Sequence, residues 1–237
     1  MIYGVTFKKD DIAKHTYNDF GLLQVGTAYL SPPEVQTRYI TVPGMDGFLD
    51  ATESLDGNVH YNSRKFVAKY KCISPRKNWK DVYSDLVNFL HGRQMQAIFD
   101  DDNGYYVKGR FEVGAPSFAK HYWTIDIAGE VDPYRYLLYD SIGDWLWDPF
   151  RFDTDIAWDY KDIEIEGSRD ILVATTPMPV SPTFTCSAPM TLKVDSNTYN
   201  LPAGVSVVPG LVIRDRDYVF KFTGTGTVTI FFRGGRL

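Results

Sequence analysis

Hydrophobic positions in this chain alternate far more often than they follow a helical period. Phe66, Ala68, Tyr70 and Cys72 interleave with Lys65, Lys69 and Lys71, the period of two that buries one strand face and wets the other. Residues 40–42 meet the turn signal Pro43-Gly-Met-Asp-Gly47, residues 48–52 resume an extended run, and Asp56-Gly57 turns again. Proline presets a corner and glycine accepts positive φ, so these dipeptides punctuate strands. Residues 94–99 and 105–113 flank Asp100-Asp-Asp-Asn-Gly104 and predict a hairpin with Asn-Gly at its tip. Residues 122–131 close this half, with Trp123, Ile125 and Ile127 on one face. A single helix interrupts the strands. Trp79, Val82, Tyr83, Leu86, Val87 and Leu90 form one apolar stripe at helical spacing. Asn78 is the expected N-cap and Gly92 the residue just past the end, so this helix should cover a sheet.

The pattern shifts at Asp132-Pro133. Residues 133–160 hold three of the five tryptophans with little periodicity, and read as a linker and leading strand. Beyond them every signal is β: Ile163/Ile165, Ile171/Val173, Phe184, Leu192/Val194, Val205/Val207, Leu211/Ile213, Tyr218/Phe220/Phe222 and Val228/Ile230/Phe232. Asp195-Ser-Asn197 and Gly224-Thr-Gly226 read as the turns between short strands, which favours a sandwich. The expected fold is all-β with one flanking helix. Its parts are an N-terminal β domain over 1–132 with the helix at about 79–91, the linker over 133–160, and the rest of a C-terminal β-sandwich over 161–237.

Composition narrows the class. The 237 residues include 15 Phe, 16 Tyr and 5 Trp, enough for large cores and incompatible with disorder, collagen or coiled coil. A net charge of −5 argues against a duplex-binding surface. Cys72 and Cys186 are the only cysteines and are expected to be buried free thiols. Residues 1–11 lack the order of a signal peptide. The longest uncharged run, 171–192, contains four prolines and cannot form a membrane helix. The expectation is a soluble, cytoplasmically made protein without membrane insertion.

Catalytic patterns are absent from the sequence. His15, His60, His91 and His121 lie in separate segments without zinc-ligand spacing, and no nucleophile elbow occurs. No catalytic, cofactor or metal residue is therefore expected. Asp100-Asp-Asp102 reads as a solvated hairpin tip rather than a calcium loop, and Glu164 and Glu166 as an exposed strand face. Arg233-Gly-Gly-Arg236 is one copy of a tetrapeptide that nucleic-acid binders repeat. Trp145, Trp147 and Trp158 leave three readings open: a sugar-stacking platform, an interface at a domain junction, or the start of the second core.

Taken in order, several segments match a known arrangement. They are residues 40–50 with Asp56-Gly57 and the strand 64–70; the helix at 79–91 with the hairpin through 105–110; the junction Asp132-Pro-Tyr134; and the ending 222–237. In these the chain resembles the distal tail proteins of siphovirus-type bacteriophages and prophages, over nearly its whole length. The resemblance implies an N-terminal split-barrel β-sandwich and a C-terminal galectin-like β-sandwich. It also implies a homohexameric ring at the tail tip of the virion. The ring would join the tail tube protein to the tail-associated hub or lysin protein, carry receptor-binding components, and let DNA pass through its lumen. Large carbohydrate-binding insertions of the kind some members carry are not evident.

A ring of head-to-tail contacts needs complementary surfaces on two sides of each subunit. The expected interface lies in residues 26–58, where Pro32, Pro33, Pro43 and Gly44 stiffen a projecting hairpin that also carries Asp46 and Gly47. Carboxylates such as Asp46 or Asp100–Asp102, if they faced the lumen, would keep DNA off the wall. Two other classes stay in view: a carbohydrate-binding module using the Trp145–Trp158 aromatics, and a hydrolase, for which no acid, base and nucleophile set is visible.

Overall fold

The structure, a computed structural model, describes residues 3–143 and 157–237. In chain order, the strands before the helix are β1 (Val5–Lys9), β2 (Ile12–His15), β3 (Leu22–Gln24), β4 (Tyr29–Leu30), β5 (Tyr39–Ile40), β6 (Leu49–Asp50) and β7 (Arg64–Cys72). The helix α1 (Trp79–Leu90) is followed by β8 (Arg93–Phe99), β9 (Tyr105–Val113), β10 (Ser117–Phe118), β11 (Trp123–Val131) and β12 (Arg135–Leu137). Then come β13 (Ile163–Val173), β14 (Thr183–Cys186), β15 (Met190–Val194), β16 (Asn197–Leu201), β17 (Gly204–Val207), β18 (Tyr218–Phe231) and β19 (Gly235–Arg236). The fold is all-β with one helix, in two curled, sandwich-like halves. One compact unit lies within Met1–Asp102 and Val107–Pro133, the other within Asn103–Tyr106 and Tyr134–Leu237.

In the first unit the sheet runs β2-β1-β8-β9-β11-β7-β3, with β4 also on β7 and β10 on β11. The predicted alternation of β7 holds from end to end: Phe66, Ala68, Tyr70 and Cys72 are buried and the lysines face out. Phe7, Phe66 and Phe111 meet edge-on at centroid distances of 5.0–6.2 Å, the geometry that aromatic quadrupoles favour. Trp79, Leu86 and Leu90 bury the helix stripe against this core. Asn78 does not cap with its side chain. Arg76–Asn78 already form a 3₁₀ turn that leads into α1, so Asn78 sits at φ −96°, ψ −3°, outside the extended conformation a capping side chain needs. Gly92 does end the helix, at φ +71°.

In the second unit the sheet order is β16-β15-β18-β14-β17, with β13 along the other side of β18. Two sequence expectations give way here. Ile163/Ile165 and Ile171/Val173 belong to one strand, β13, which pairs with β18 over its whole length. Gly224-Thr-Gly226 is not a turn but the middle of β18, with Gly224 opposite Gly167. Glycine is required there because the backbone adopts φ +150° and +139°, and a Cβ on Gly226 would run into Ser187 Oγ. Asp195-Ser196 does turn between β15 and β16, with Asp195 at φ +51°. Both cysteines are buried and free.

Candidate functional site

Between β4 and β7 the chain leaves the body of the first unit as a two-stranded arm. Val35 bridges Tyr61, Gln36 N–H donates to the His60 carbonyl at 2.9 Å, and Ala51 N–H to that of Arg38 at 2.8 Å. β5 and β6 then pair toward the tip. The tip turn is the one Pro43-Gly44 encodes: Met45 N–H reaches the Val42 carbonyl at 3.1 Å while Gly44 takes φ +80°. Pro32, Pro43, Gly44, Asp46 and Gly47 are exposed on this arm and Pro33 is partly so.

No residue from 25 to 63 is buried. Apolar side chains are nevertheless frequent, including Phe48 at 55 %, Leu49 at 50 % and Leu55 at 86 % exposure. The Tyr39 and Phe48 rings lie against each other, 4.2 Å apart at the centroids. Hydrogen bonds rather than a buried core order this segment, from the backbone and from side chains such as Thr52, whose Oγ1 accepts Arg38 N–H at 3.1 Å, and Ser31, whose Oγ accepts Lys65 N–H at 2.9 Å. Sequence reasoning found the turns but not the exposed apolar side chains. Their signal was a run of large apolar residues inside a turn-rich stretch without regular alternation.

The remaining candidates resolve into structural roles. The Asp100 carboxylate is not a free tip charge: it accepts from Gly4 N–H at 2.8 Å and from His15 Nε2 at 3.0 Å. The imidazole Nδ1 in turn accepts the Tyr17 and Asn18 N–H groups, which places the ring proton on Nε2. Asp101 is exposed and Asp102 partly buried. Glu164 and Glu166 lie on the exposed face of β13. Among the described residues, no three His, Cys, Asp or Glu side chains gather as a metal site, and no helix is long and apolar enough to cross a membrane.

Arg233-Gly-Gly-Arg236 is a packing device. The Arg233 guanidinium donates to the Leu137 and Leu138 carbonyls and pairs with Asp140 at 3.1 Å. A Cβ on Gly234 would stand 2.6 Å from Trp158, and one on Gly235 2.5 Å from the Arg135 carbonyl. Trp145 and Trp147 lie outside the described residues. Trp158 is 1 % exposed, packed on Tyr139 and Phe232, with Nε1 donating to the Ala174 carbonyl at 3.0 Å. It is a core residue with no ring face open to a sugar.

No family model and no curated protein matches the sequence. A solved structure does. Over 100 % of both chains, at 13 % identity and a TM-score of 0.64, the chain is similar to the SPP1 Dit (gp 19.1) protein. That protein is described as a paradigm of the hub adsorption apparatus in phages that infect Gram-positive bacteria. The two share a fold. Strand pairing and burial set that fold, and both persist through extensive sequence change.

Proposed function

We propose that this chain is a structural hub protein of a long-tailed phage tail tip. Six copies form a ring between the tail tube protein and the tail-associated hub or lysin protein. The reading rests on one observation, the whole-length likeness to the Dit fold. The arm supports the ring: an exposed apolar segment ordered without a core of its own is completed by a neighbouring subunit. In this reading the protein is not an enzyme, and its second unit carries adsorption or receptor-binding components. DNA passes the lumen without specific binding, and exposed carboxylates such as Asp101 keep it off the wall. The glycan-module reading loses Trp158, the one described member of its platform.

Size-exclusion chromatography with light scattering, followed by negative-stain microscopy, tests this. The expected result is a particle of six chains with a central opening. A monomer that persists at high protein concentration overturns the reading.

A further inference from the structure

The arm leaves the first unit beside β3 and β4, at one edge of its sheet. At the opposite edge, β2 pairs only with β1 among the described residues. Between β2, α1 and the start of β8 lies a shallow cavity of about 310 Å³, lined by Ile12, Lys14, Asp85, Asn88, Phe89 and Arg93. Ile12 is 62 % exposed there. The Lys14 ammonium sits 5.2 Å from the Phe89 ring centroid, so apolar surface and positive charge occur together. Lys14 and Arg93 against Asp85 leave this notch net positive.

The arm has the opposite character. Residues 26–62 carry one arginine against Glu34, Asp46, Asp50, Glu53 and Asp56. The rest of the first unit has fourteen lysines and arginines against twelve carboxylates. At the arm's tip, Asp46 and Asp50 flank the exposed Phe48 and Leu49. Reach is sufficient: the thirteen steps from Ser31 to Gly44 span roughly 40 Å at ~3.3 Å each. Seven strands at ~4.8 Å spacing make a sheet only about 29 Å wide.

We infer that the arm tip of one copy docks in the Ile12–Phe89 notch of the next copy, Phe48 and Leu49 covering its apolar floor and Asp46 and Asp50 meeting Lys14 and Arg93. This deepens the ring reading above and rests on it. Donor and acceptor surfaces lie on different edges of the sheet, so the contact is head-to-tail and closes by rotation rather than by pairing two copies. The charge pattern sets register, and the apolar pair supplies the burial.

Charge reversal tests the pairing. Arg93→Glu alone should weaken assembly with the melting temperature unchanged, because that side chain is exposed. Lys14→Glu with Arg93→Glu should weaken it at least tenfold by light scattering, Lys14 being half-buried over the Phe20 and Phe89 rings. Adding Asp46→Lys and Asp50→Lys to that double variant should restore assembly. Independently, Phe48→Cys with Asn88→Cys should give a ladder of covalent oligomers on oxidation, which the buried native thiols do not give in wild type. If the wild-type oligomer forms but ignores the reversals and yields no ladder, the docking site is wrong while the ring reading stands. A monomeric wild type overturns both.

Discussion

His15 Nε2 stands 3.0 Å from the Asp100 carboxylate, which joins the edge hairpin β1–β2 to the loop that follows β8. The same carboxylate holds Gly4 N–H, and the other ring nitrogen holds the turn after β2. One side-chain pair therefore satisfies three backbone donors across two elements. Asp100→Ala should cost about 1–3 kcal/mol, because it strands the Gly4 N–H and the His15 ring N–H rather than exchanging their partners. His15→Ala should cost a similar amount, and the double variant less than the sum. Urea unfolding of the four proteins checks this, and strict additivity would show that the pair is not coupled.

Glycines separate cleanly into two kinds. Gly235→Ala drives a methyl toward the Arg135 carbonyl and should destabilise by about 3 kcal/mol, the upper part of the overpacking range. Gly44 has nothing within 4 Å of an added Cβ but takes φ +80°, so alanine there strains only the local turn by about 1 kcal/mol. Because the arm has no buried residue, Gly44→Ala should leave the melting temperature unchanged and weaken assembly. Calorimetry and light scattering on the two variants report these effects separately.

Alkaline pH should unfold the protein through its buried phenols. Burial pushes the Tyr70 and Tyr160 hydroxyls above the ordinary tyrosine value. Tyr160 donates to the Leu172 carbonyl at 3.1 Å and accepts Ala174 N–H at 3.0 Å. A pKa raised on folding means the unfolded chain loses its proton first. The phenols' contribution is thus fully present below about pH 10 and is lost as pH rises beyond it. Melting temperatures from pH 8 to pH 11 should fall, and Tyr160→Phe should flatten the fall. An unchanged slope in that variant would remove Tyr160 from the account.

Thiol chemistry should be silent in the folded state. Cys72 and Cys186 are both buried, and burial raises the Cys186 pKa, which lowers its thiolate fraction. Ellman's reagent should label neither in native buffer and both in guanidinium. Fast labelling of one thiol in native protein would mean that its strand opens locally.

The strongest sequence signals were those that one element carries alone. The stripe from Trp79 to Leu90 and the alternation of Phe66 to Cys72 need only one side facing a core, and both were legible. The Pro43-Gly44 turn was equally plain, because its φ preferences belong to the residues themselves. Gly224 and Gly226 misled for the same reason. Local preference suggested a turn, whereas the long pairing of β13 with β18 and the approach of Ser187 made them strand residues.

Class, helix and strand faces thus follow from residue chemistry at short range, since the hydrophobic effect writes burial into the order of the chain. Other features come from residues far apart in sequence. Asp100 meets Gly4 and His15, Arg233 holds the carbonyls of Leu137 and Leu138, and Trp158 closes on Phe232. Arm and notch belong to the same category: that one sheet edge presents acidic apolar surface and the opposite edge basic apolar surface depends on strand order. Strand order is a choice among global pairings of similar local patterns, and long-range burial and register decide it.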